Sequence, residues 1–129
     1  MAADPHSRSI FELCDTIRQT SLEIHRYLRS GFNEKIYENA LAHRLRKKEI
    51  RVEKEQRMKV FAEDGTLLGL LTADLLVDKR VICEIKGCNA LIDAHAAQLL
   101  GYLRAARIEH GLLINFAARR LEIKKYILN

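Results

Sequence analysis

The chain has 129 residues, 48% of them hydrophobic and 30% charged, which suits one domain burying roughly two thirds of its unfolded surface. No apolar run approaches the roughly 18 residues that span a bilayer, and Met1-Ala-Ala-Asp-Pro-His-Ser-Arg8 lacks the apolar core of a signal peptide, so a cytoplasmic location away from membranes is expected. The net charge of +5 permits nucleic acid as a partner without demanding it, because 17 acids are interspersed among 22 bases.

Residues 1–8 read as an N-terminal tail and 9–129 as a single domain. Apolar side chains at Ile10, Leu13, Cys14, Ile17, Ile24 and Leu28 recur at helical spacing over 9–29. Ser9 with Glu12 three residues on suits a capping box, and Gly31 is placed to end the helix. Asn33 is placed to start a second helix through Ile36, Tyr37, Ala40, Leu41 and Leu45. Val52 to Phe61 is mixed and highly charged, as an outer strand with one wet face would be. The turn Glu63-Asp64-Gly65 leads into a long strand from about Leu67 to Val77. A second strand, Val81 to Lys86, follows, and Gly87 breaks it. A helix is expected over about 90–106, then an apolar central strand Leu112-Leu-Ile-Asn-Phe116, then an alternating strand from Leu121 to Leu128. The segment from Val81 through the helix to Leu112 is a βαβ crossover, for which a parallel, right-handed connection is expected. The class is α/β, a mixed sheet flanked by helices, or α+β if antiparallel pairs dominate.

Leu70 to Val77 and Val81 to Ile85 flank a short polar turn at Asp78, Lys79 and Arg80, a hairpin pattern. Centred on Lys79, the ladder pairs Val77 with Val81 and puts Asp74 opposite Glu84. Cross-strand Cβ atoms lie about 4.5–5.5 Å apart, and Lys86 projects from the same face as Glu84. Two carboxylates and an ammonium then converge among Leu, Val and Ile. Charges in such a place are costly unless paired or metal-bound, and carboxylate oxygens suit hard cations such as Mg²⁺ or Mn²⁺. A one-residue slip would send Asp74 to the other face. The three cysteines are an odd count that argues against a disulfide framework. Cys83-x₄-Cys88 with His95 lacks a fourth zinc ligand, and Cys83 alternates with Val81 and Ile85 on the expected core side.

Asp74-x₉-Glu84-x-Lys86 on a hairpin, followed by a helix and a buried strand, resembles the core of the PD-(D/E)XK nuclease superfamily. Gly31-Phe-Asn-Glu34-Lys-Ile-Tyr37 is similar to the signature of the GxxExxY protein family within it. Ala73-Asp74-Leu-Leu-Val77, Gln98-Leu-Leu-Gly-Tyr102 and Gly111-Leu-Leu-Ile-Asn-Phe116 also resemble that family's blocks, so the likeness runs from about Ile17 to Ile127. It implies a restriction-endonuclease-like αβββαβ core. It also implies that Asp74 and Glu84 bind Mg²⁺ or Mn²⁺, that Lys86 positions water or offsets charge on phosphate, and that Glu34, a further acid brought from a helix, binds the metal directly or through a water. Gln98 and Tyr102 resemble the Gln-x₃-Tyr motif of the RecB-like branch, beside the site, and i, i+4 spacing puts them on one helix face. Two features depart from the pattern: Ala73 stands where the superfamily name has Pro, and Leu71-Thr72 where an aromatic is usual.

Taken singly, Glu34 also reads as an acid favoured in a first helical turn, Tyr37 as core, and His95 as a surface histidine. Glu84 and Lys86 also read as a structural ion pair, which leaves Asp74 unexplained. The expected function is a metal-dependent nuclease acting on DNA or RNA. The rival is a non-catalytic module that keeps the fold and binds nucleic acid or a partner. With no second domain to choose a target, such a minimal core leaves room for a homodimer or a partner protein.

Overall fold

The computed structural model describes residues 8–129. Of the expected tail, residues 1–7 lie outside the described residues. Helices α1 (Ile10–Leu28) and α2 (Glu34–Lys47) precede strands β1 (Val52–Phe61), β2 (Leu67–Val77) and β3 (Val81–Lys86). Helix α3 (Asp93–Ala106), β4 (His110–Asn115) and β5 (Glu122–Ile127) follow. The five strands lie in one mixed sheet in the order β1-β2-β3-β4-β5. The β3–β4 pair is parallel, as the βαβ crossover requires, and the other neighbours are antiparallel. No described helix is long and apolar enough to cross a membrane.

Local chemistry sets the helix ends. Ser9 caps α1 by accepting the Glu12 N–H at 3.1 Å, and Asn33 caps α2 by accepting the Ile36 N–H at 3.1 Å. Helix α1 ends before the expected Gly31: Arg29 takes a positive φ of 59° after Leu28, and its N–H bonds the His25 carbonyl. Tyr37 holds this turn. Its hydroxyl donates to the Arg29 carbonyl and accepts the Phe32 N–H at 3.2 Å, while its ring stacks on Phe116 at 4.7 Å. Helix α3 starts at Asp93 rather than near residue 90, because side chains satisfy the preceding backbone. Asn115 accepts the Cys88 N–H and donates to the Cys88 carbonyl, and His95 Nδ1 accepts the Ile92 N–H at 3.1 Å.

Each face of the sheet carries its own core. One, which includes Leu13, Ile17, Tyr37, Leu41, Leu75, Val81, Ile85 and Phe116, joins α1 and α2 to the sheet. The other, which includes Met58, Ala73, Leu76, Ile82, Leu99, Leu103 and Leu113, seats α3. The seat is tight: a Cβ on Gly111 would meet Leu99 Cδ1 at 2.9 Å. Strand β2 changes face on the way. Ala73 belongs to the α3 core and Leu75 to the other, although residues two apart on a regular strand share a face. On β1, Lys54 pairs with Leu75 and Gln56 with Ala73, but Glu55 and Asp74 between them do not pair. Glu55 has a φ of 53° there. Asp74 therefore sits at a kink in the sheet, next to where β2 and β3 part.

Candidate functional site

The β2–β3 turn fixes the register. Asp78 and Lys79 have φ of 52° and 57°, the positive values a type I′ turn needs, and the Arg80 N–H closes the turn onto the Val77 carbonyl at 3.0 Å. The Arg80 guanidinium reaches back to the Asp78 carboxylate at 2.7 and 3.0 Å. Val77 then pairs with Val81, Leu76 with Ile82 and Leu75 with Cys83. The backbone ladder stops there, one pair short of Asp74 and Glu84.

Carboxylates replace the missing ladder bonds. Glu84 Oε1 accepts the Asp74 N–H at 3.0 Å, and Asp74 Oδ2 accepts the Ile85 N–H at 2.7 Å. Each acid spends one oxygen on backbone and retains its second. Glu84 is 4% exposed and lies beside Leu113 of β4. Burial first, then the charge of Asp74, push its carboxyl up to about 8, against a smaller opposing pull from Lys86. Glu84 thus gives up its proton reluctantly in the metal-free protein, with the Asp74 carboxylate beside it.

Helix α3 supplies the next groups. Lys86 Nζ donates to Gln98 Oε1 at 2.7 Å, which holds the ammonium at the end of β3. Tyr102, one turn on, is half-buried, and burial followed by the charges of Glu84 and Asp74 raises its hydroxyl, so it stays protonated as a donor. Helix α2 closes the other side. Glu34 lies in its first turn, and Oε2 accepts the Gly87 N–H at 2.8 Å. Gly87 does more than break β3: a Cβ there would meet Glu34 Cγ at 3.1 Å. Glu34, Glu38, Lys35, Glu55 and Asp74 line one open cleft of about 480 Å³.

Glu38 is the residue that sequence reasoning missed. It is 3% exposed, and burial first, with a contribution from Asp74, raises its carboxyl while Lys35 at 3.2 Å pulls the other way. Its i+4 spacing from Glu34 was the available signal, because the two share a helix face. Glu55, ion-paired with Lys35, is the second unanticipated acid of the cleft. Cys83 is fully buried, as its alternation with Val81 and Ile85 suggests, and burial pushes its thiol well above the ordinary range.

Among the described residues no three His, Cys, Asp or Glu side chains are close enough to form a ready-made metal cage. Two carboxylates with a spare oxygen each still suit a hard cation that keeps much of its water, as Mg²⁺ does. A divalent cation would also offset the burial and the Asp74 charge that raise Glu84. The donor set fits.

In its backbone course the chain is similar to the crystal structure of SSO0001, with a TM-score of 0.61 and 21% identity. The match covers 73% of this chain and 49% of that one, so it spans about half the length of that protein. At that identity the likeness is one of fold, here an α/β architecture consistent with a restriction-endonuclease-like core. No curated protein matches the sequence. A family model described as the PD-(D/E)XK nuclease superfamily matches residues 11–126, and the chain belongs to that superfamily.

Proposed function

We propose that residues 9–129 form a Mg²⁺- or Mn²⁺-dependent nuclease domain that hydrolyses phosphodiester bonds in DNA or RNA. The observation that carries the reading is the meeting of the Asp74 and Glu84 carboxyls where the β2–β3 ladder ends, each with one oxygen to spare. Superfamily membership supports a nucleic-acid substrate. The Gly31-x₂-Glu34-x₂-Tyr37 and Gln98-x₃-Tyr102 spacings support the GxxExxY family and the RecB-like branch within it.

Asp74 and Glu84 would hold the cation, which when bound supplies Lewis acidity toward phosphate and a lowered pKa for water. Lys86 would bring its ammonium to the phosphate and offset charge that builds on the oxygens during attack. Gln98 positions Lys86 through the 2.7 Å bond and carries no charge that would neutralise it. Tyr102 would donate a hydrogen bond from a hydroxyl that burial and then the neighbouring acids keep protonated. Glu34 and Glu38 would act from the rim: Glu34 anchors the end of β3, and Glu38 adds negative potential beside Asp74. A buried acid such as Glu84 with a second carboxylate beside it is costly to keep without a cation, which favours a working site over an idle fold.

The test is cleavage of single- and double-stranded DNA and RNA with Mn²⁺, comparing wild type with Lys86→Ala and Asp74→Asn. Metal-dependent cleavage lost in both variants supports the reading. Absence of cleavage on every substrate, or equal cleavage by the variants, refutes it.

A further inference from the structure

Strand β3 pairs with β2 only over Leu75 to Val77, so the outer parts of β1 and β2 stand beyond the sheet as a two-stranded arm. Only one face of this arm is backed, by Met58, Leu71 and Ala73 against α3. Between the arm and the C-terminal half of α3 runs a groove of about 560 Å³ whose lining includes Lys59, Phe61, Leu71, Gly101, Arg104 and Arg107. Three cations line it, with no acid among the lining residues. None of these cations forms an ion pair among the described residues. Phe61 lies at the arm's outer end with 56% of its surface exposed. Arg107 takes the left-handed position after α3, with φ of 56°, where glycine is the usual occupant.

We propose that this groove holds a single nucleic-acid strand, with Lys59, Arg104 and Arg107 on its phosphates and Phe61 stacked on a base. The groove is polyanion-complementary in charge, and unpaired cations with an exposed aromatic are the two elements of a strand-binding platform. Its volume matches sites that take one small ligand, about 300–1,000 Å³. Stacking on Phe61 needs a base free of its neighbours, which a single strand offers and a paired duplex does not. The groove also borders β2 and α3, the elements that carry Asp74, Gln98 and Tyr102. A second cavity of about 240 Å³ shares Lys59 and Ala105 with it and is lined by Ala73, the neighbour of Asp74. On α3, Ala105 stands two turns after Gln98, a distance of about 10 Å along the axis. That is about three nucleotides at ~3.4 Å of rise per strand. This direction of travel rests on the nuclease reading; the binding does not.

The probe is fluorescein-labelled oligo-dT of about 16 nucleotides, the upper end of single-fold site sizes, with a duplex of equal length for comparison. Anisotropy is read in EDTA, so no cleavage intervenes. Phe61→Ala should weaken oligo-dT binding about tenfold and leave the duplex within about twofold. Replacing Lys59, Arg104 and Arg107 together by Gln should flatten the slope of log affinity against log salt by about 2, at ~0.7 per contact. Unchanged oligo-dT affinity in Phe61→Ala, or an unchanged slope in the triple variant, overturns the proposal. So does sedimentation of wild type as a dimer that Leu68→Lys dissociates, because the arm would then be covered by a second copy. Parallel Mn²⁺ cleavage separates the two readings. Cleavage with unaltered groove variants sinks the groove alone, and strand binding without cleavage sinks the nuclease reading alone.

Discussion

Replacing Glu84 by Gln removes one charge from the carboxylate pair while retaining an amide oxygen to accept the Asp74 N–H. In the metal-free protein burial and Asp74 raise the Glu84 carboxyl from an ordinary 4.5 to about 8. The folded chain therefore holds a proton that the unfolded chain releases above about pH 4.5. Stability is greatest below that pH, falls as pH rises through the window up to about 8, and levels off above it. At 1.36 kcal/mol per unit, wild type should lose about 3 kcal/mol between pH 5.5 and 9 from this group. Glu84→Gln has no such proton to lose. The assay is urea unfolding of both proteins in EDTA across that range, with the slope on urea checked for constancy. The stability gap should move in favour of Glu84→Gln by about 3 kcal/mol as pH rises, and saturating Mn²⁺ should erase the pH trend in wild type. A gap independent of pH would refute the reasoning, because Glu84 would then ionise as freely folded as unfolded.

Two further substitutions probe how the site is held. Asp74→Ala should be less stable than Asp74→Asn by about 1–3 kcal/mol, because Ala leaves the Ile85 N–H without its acceptor; equal urea midpoints would show that the bond contributes nothing. Gly111→Val should destabilise by about 1–3 kcal/mol by pushing against Leu99, and by displacing α3 it should lower kcat for Mn²⁺-dependent cleavage along with the Lys86–Gln98 contact. Wild-type stability and turnover in that variant would show that α3 is not seated as tightly as the 2.9 Å approach implies.

The hairpin was legible because its signal is local: two apolar runs around Asp78, Lys79 and Arg80 leave one register, and Val77 pairs with Val81 as expected. Lys86 and Gln98 were legible as separate motifs, and the crossover brings them to 2.7 Å. Glu38 was not, because an acid on a charged helix reads as solvated until Asp74, Lys35 and Lys54 are known to surround it. The face change at Glu55 and Asp74 was equally hidden: it depends on a positive φ at a glutamate, which no propensity announces. Helix ends shifted for the same reason. The side chains that settle them, Tyr37 on Arg29 and Asn115 on Cys88, act on positions set by tertiary structure.

The most direct test of the central claim is calorimetric titration of Mn²⁺ into wild type, Asp74→Asn and Glu84→Gln, repeated in buffers of different ionisation enthalpy near pH 7. With Glu84 raised to about 8, that carboxyl is largely protonated there. Wild type should therefore take up Mn²⁺ and release close to one proton, since a ligating carboxylate must be deprotonated. Asp74→Asn should lose the binding, and Glu84→Gln should lose both the binding and the proton release. Mn²⁺ uptake unchanged in both variants, or no uptake by wild type, would contradict a metal site at this carboxylate pair.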